Sequence, residues 1–121
     1  MNASILAETI ARLGLEKKGD QIALLDVRGL SNVTDFFVII SADSDMQMRA
    51  LADHIEKQLR EAYDHKIYHK EGEANASWIL LDYIDVVVHL FRRETRAYYG
   101  LERLWSDAKI TWITEETENA Q

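Results

Sequence analysis

Two apolar runs, Trp78 to Tyr83 and Val86 to Phe91, stand only two residues apart, and that spacing constrains the fold more than any other feature. Short runs rich in Val, Ile, Leu and aromatics, broken by two residues, read as a β-hairpin. With Ile84 and Asp85 as the loop, Tyr83 pairs with Val86, Leu81 with Val88 and Ile79 with Leu90. Side chains alternate between faces along a strand, so this register sorts them. One face is wholly apolar. The other carries Trp78 opposite Phe91, Leu80 opposite His89 and Asp82 opposite Val87. A two-residue loop asks for a positive φ at its first position, which a β-branched Ile84 resists, and a three-residue loop would invert the face assignment of one strand.

The second face is apolar surface edged by polar groups, and such a face must be covered. Two readings stand side by side. Either the C-terminal helix packs on it and Trp78 is core, or it meets another subunit or a partner, with Trp78 as the residue type most enriched at binding hot spots.

The rest of the chain supplies elements to flank that hairpin. Leu6, Ile10 and Leu13 recur at helical spacing with Gly14 at the stop, which predicts a short amphipathic helix. Gln21 to Val27 and Thr34 to Ser41 read as strands, separated by turn chemistry at Arg28-Gly29-Leu30-Ser31-Asn32. Ser44 followed by Gln47 is a capping-box pattern, and Met48, Leu51, Ala52, Ile55, Leu59 and Ala62 then continue a helix. Glu71-Gly72-Glu73-Ala74-Asn75 reads as a loop. Helical spacing returns from Glu94 to Trp105, with Gly100 placed to break it in the middle. Thr111 to Ile113 is apolar enough to touch the domain, and 115–121 is a polar tail expected to fray. The expected fold is α/β: one domain spanning 1–121, with a mixed sheet of about five strands flanked by helices.

Composition narrows the function classes. The absence of cysteine among 121 residues excludes disulfides, thiolate nucleophiles and cysteine-based metal centres, and suits a cytoplasmic protein. The N-terminal residues lack the features of a targeting segment, and no apolar stretch approaches the ~20 residues of a membrane helix. A net charge of −7 repels a phosphate backbone, which disfavours broad nucleic-acid binding and favours a basic protein partner. Arg92, Arg93, Arg96 and Arg103, interleaved with Glu94 and Glu102, read as a solvated mixed-charge helix face rather than an RNA stripe.

Catalytic motifs are sparse. Asp43 and Asp45 have the spacing of a metal-sharing carboxylate pair, with Asp82 as a further ligand, and this sustains an alternative: a metal-dependent nucleotidyltransferase. Against it, Asp45 falls in the first turn of the helix capped by Ser44, where an acid complements the macrodipole. His65 and His69 would stand roughly 13 Å apart in an extended segment, too far to share an ion. No nucleophile-and-base signature or phosphate-cradling loop is present. No cofactor, metal or catalytic residue is expected.

An ordered set of residues carries a resemblance. Asp26 with Ser31 and Thr34-Asp35-Phe36-Phe37-Val38-Ile39, Ala52 and Ile55, Glu71-Gly72, Trp78-Ile79-Leu80-Leu81-Asp82-Tyr83, Asp85-Val86-Val87-Val88-His89, and Arg96, Tyr99 and Leu101-Glu102-Arg103-Leu104-Trp105 span nearly the whole chain. In these the sequence resembles the ribosomal silencing factor, or Iojap-like, family. The resemblance implies a nucleotidyltransferase-like fold without enzymatic activity, acting in the cytoplasm to hold back translation when nutrients are scarce. It implies binding to the large ribosomal subunit through its protein fourteen, which blocks joining of the small subunit, and it implies a homodimer. The family's sheet tryptophan falls on Trp78, and Glu71, Leu80, Asp82 and His89 fall on matching positions. Phe91, opposite Trp78, completes the expected partner-binding set. The chain departs from the family where Ile84 replaces the usual glycine of the hairpin. Ala42 replaces another glycine, removing the Gly-Ser start a working nucleotidyltransferase would need.

Overall fold

A computed structural model describes residues 1–115. The elements run α1 (Ala3–Glu16), β1 (Asp20–Asp26), β2 (Phe36–Ala42), α2 (Asp45–Ala62), β3 (His69–Glu71), β4 (Trp78–Asp82), β5 (Val86–Arg92), α3 (Arg93–Tyr99), α4 (Leu101–Leu104) and β6 (Lys109–Ile113). The polar tail expected to fray, 115–121, lies outside the described residues apart from Glu115.

One six-stranded sheet in the order β3-β4-β5-β2-β1-β6 organises the molecule. It is mixed: β2 and β5 run parallel at its centre, and every other neighbouring pair is antiparallel. Six strands replace the five or so expected, because the apolar Thr111 to Ile113 stretch belongs to a full edge strand on β1. His69 and Lys70, with Glu71 from the start of the expected loop, likewise form a short edge strand on β4.

The hairpin register is the one its spacing predicts: Ile79 faces Leu90, Leu81 faces Val88 and Trp78 faces Phe91. Tyr83 donates its backbone N–H to Val86 at 2.9 Å, which closes a two-residue loop. Ile84 takes a φ of 72°, and the Asp85 N–H donates to the Tyr83 carbonyl at 2.9 Å. That is a γ-turn with positive central φ, a rare and strained form. Asp82 offsets part of the strain by accepting the Ile84 N–H at 2.7 Å.

Helices α1 and α2 cover one face of the sheet. Leu6, Ile10, Met48, Leu51, Ile55 and Leu59 pack there against Ile79, Leu81, Val86, Val88 and Leu90. α1 continues past Gly14 to Glu16, a glycine required less as a stop than for contact: a Cβ there would lie 2.7 Å from Ile40 Cδ1. Ser44 caps α2 by accepting the Gln47 N–H at 3.0 Å. The Gln47 side chain does not return to Ser44 as in a full capping box. Its Oε1 accepts from the Asp43 N–H at 2.8 Å and its Nε2 donates to the Lys18 carbonyl at 2.9 Å.

Candidate partner-binding face

The opposite face of the sheet is built row by row from strand registers. One row runs Glu71, Leu80, His89, Ile39, Ala23 and Trp112, and the next runs His69, Asp82, Val87, Phe37, Leu25 and Ile110. The chain leaving β5 turns back over this face. α3 ends at Gly100, whose φ of 57° is left-handed, and α4 then restarts, so the expected mid-helix break is present. Leu101 and Trp105 pack on a cluster of Ala23, Leu25, Ile39 and Phe91, and Trp105 meets the Phe37 ring edge-on at 5.4 Å.

Coverage stops part-way. Phe91 is fully buried, so it supports the face from beneath and presents no surface to a partner. Trp78 is half-buried, its ring 4.8 Å from Phe91 and 4.6 Å from Tyr99. Leu80 and Asp82 are half-exposed and belong to neither core cluster, while Glu71 is exposed beside Leu80 at the sheet edge. The packing reading of this face from the hairpin therefore holds for part of it. The C-terminal helices cover the Phe91 end and leave the β4 end open. Trp78 stands at the boundary.

His89 is the buried polar group at the centre. The Trp78 indole Nε1–H donates to His89 Nδ1 at 3.0 Å, and the imidazole lies among Phe37, Trp78 and Phe91. Burial pushes its pKa down to about 4, because a charged imidazole would lose its hydration there.

The carboxylates of the nucleotidyltransferase alternative are not brought together. Asp43 pairs with Arg93 and Asp45 with Arg92 at 2.7 Å, while Asp82 sits opposite Val87 at the other end of β5. At the rise of a strand that is a separation of roughly 17 Å from the Arg92 end. Hydrogen bonding to Arg93 holds Asp43 and Asp20 below the ordinary carboxylate range.

The arginine cluster departs from the solvated face expected of it. Arg96 is buried, and it donates to the Gln21 carbonyl at 2.5 Å, to Ser41 Oγ at 2.9 Å and to Glu102 at 3.2 Å. Sequence reasoning missed this because two of the three acceptors, Gln21 and Ser41, lie on β1 and β2. The in-register parallel pairing of Ala42 with Arg92 likewise sets Asp43 beside Arg93, a neighbourhood that local pattern does not show.

The whole chain, residues 1–121, matches the model of the family described as "Ribosomal silencing factor during starvation". The chain belongs to the ribosomal silencing factor family. It is similar to Ribosomal silencing factor RsfS of Halalkalibacterium halodurans, 42% identical over 77% of this chain and 79% of the relative. With the protein of the same name from Bacillus subtilis it shares 38% identity over 91% and 92%. A chloroplastic Protein Iojap of Zea mays is 36% identical over 93% of this chain, which spans 48% of that longer relative. Among solved structures, a crystal structure of a Chromobacterium violaceum protein superposes with a TM-score of 0.84 at 30% identity, covering 94% of both chains. In this chain the Ile84 turn closes the two-residue hairpin without a glycine.

Proposed function

We propose that this silencing factor binds the large ribosomal subunit through its protein fourteen, using the open end of the second sheet face, and so blocks joining of the small subunit. Family membership supports a ribosome-associated role in silencing translation. The observation that carries the finer reading is the incomplete cover of that face, where Leu80, Asp82 and Glu71 continue past Trp78, which stands at the edge of the cover against Tyr99 of α3. Trp78 is the apolar anchor, and the carboxylates of Asp82 and Glu71 meet basic side chains. The net charge of −7 favours encounter with a basic ribosomal protein. Action is by occupancy in the cytoplasm and needs no catalysis, metal or cofactor.

Sedimentation with isolated large subunits tests the reading. The wild type co-sediments, and Trp78→Ala weakens association by about 30-fold or more, the cost of truncating a hot-spot tryptophan. Wild-type protein left in the supernatant, or a variant that binds equally well, overturns it. A second copy of the chain is the competing occupant of the same face. Light scattering of the free protein distinguishes a homodimer that the subunit displaces from a monomer.

A further inference from the structure

The hydrogen bond between Trp78 and His89 has a chemical consequence for the open face. An indole N–H only donates, so His89 Nδ1 must accept and carry no proton. A neutral imidazole then holds its proton on Nε2. Burial, which pushes His89 to about 4, keeps it neutral at pH 7. Among the described residues Nε2–H has no acceptor, the Trp78 contact being the ring's one hydrogen bond. Among the described residues the side-chain atoms sealed from solvent without a partner are Thr34 Oγ1, Tyr83 OH and Arg92 Nε. His89 Nε2 is not one of them, so it keeps a narrow opening to solvent although the residue is only 6% exposed. Its neighbours across the strands are Leu80 and Ile39. A lone donor set in an apolar floor costs free energy unless an acceptor covers it.

We infer that His89 is a tautomer-locked hydrogen-bond donor of the partner-binding face, held with its Nε2–H outward by Trp78, and that it selects a partner presenting a main-chain carbonyl there. The inference rests on the proposed use of this face and names the chemistry of what docks. Asp82 and Glu71 flank Leu80 along β4 and β3, so the complementary segment sets one unpaired carbonyl over the His89–Leu80 pair with basic side chains to either side. His89 is thus a specificity residue, and Trp78 both anchors the partner and orients the donor.

The test uses the full chain and purified large subunits. Nitrogen-15 NMR of the wild-type imidazoles shows His89 as the Nε2–H tautomer at pH 7, and an Nδ1–H tautomer overturns the inference outright. In sedimentation His89→Phe, which keeps a ring but removes the donor, weakens association about tenfold, the worth of one well-placed hydrogen bond. His89→Gln, whose amide returns a donor, recovers binding to within about threefold of wild type. A folded Phe variant that binds like wild type while Trp78→Ala stays defective overturns the inference and leaves the proposed face intact. Undiminished binding by Trp78→Ala overturns the face itself. Should the Phe variant not fold, the tautomer and the Gln variant decide, a folded Gln variant as defective as Trp78→Ala counting against the donor role.

Discussion

A neutral histidine inside a sheet makes stability depend on pH in a direction that can be worked out. The unfolded chain protonates His89 near its ordinary 6.5, whereas the folded chain resists until about 4. As pH falls through that window the unfolded state binds the extra proton first, so stability is full above pH 6.5 and declines toward pH 4. Between pH 7 and pH 5 this group alone removes about 2 kcal/mol. Urea midpoints at the two pH values check it: wild type drops, and His89→Gln loses that increment of pH sensitivity. An equal drop in both would show that the imidazole titrates as freely when folded as when unfolded. At this scale the sequence is informative about which face a side chain takes and poor on how deeply it is covered. Trp78, Leu80, Asp82 and His89 share a face because strand alternation and a two-residue loop leave one register. The burial of Phe91 and Arg96 comes from α3 and α4 folding back, which no local pattern encodes.

Among the elements, the β4–β5 hairpin holds the strain. Ile84 sits at φ 72° in a γ-turn, retained by the Asp82 carboxylate on its N–H and by the Asp85 carbonyl, which accepts from Asp35 and Phe36 at 3.0 and 3.2 Å. Ile84→Gly removes the steric cost, partly offset by the entropy of a more flexible unfolded chain, so a gain of a few tenths to about 1 kcal/mol is expected in the urea midpoint. Destabilisation instead would mean that the half-exposed isoleucine makes contacts worth more than the strain. Turn length and the need for a positive φ were both readable from the sequence. The helix break at Gly100 and the Ser44 cap were readable too, because each depends on a residue and its near neighbours. β3 and β6 were not. Both are edge strands with one neighbour, and short edge segments carry too weak an alternation to separate from loop.

In the whole molecule, the two sheet faces are covered unequally. α1 and α2 seal one face completely enough to supply the core, while α3 and α4, broken at Gly100 and pinned through Arg96 to β1 and β2, reach over only half of the other. What they leave open is the Leu80 and Asp82 end beyond Trp78, beside an exposed Glu71. The central parallel pair of β2 and β5 was the least legible feature. Parallel partners are joined by a long crossover, here through α2, β3 and β4, and hydrophobic pattern alone does not say which strands meet. That pairing also explains why the carboxylates of a nucleotidyltransferase site are not assembled: it places Asp43 and Asp45 against Arg93 and Arg92, far from Asp82. A subunit-joining experiment tests the proposed steric block most directly: purified small and large subunits are mixed with the protein and their association is followed by light scattering. Wild-type protein added first to the large subunit suppresses joining in proportion to its occupancy, and Trp78→Ala at the same concentration does not. Joining at the full rate with saturating wild type, or equal suppression by the variant, would contradict it.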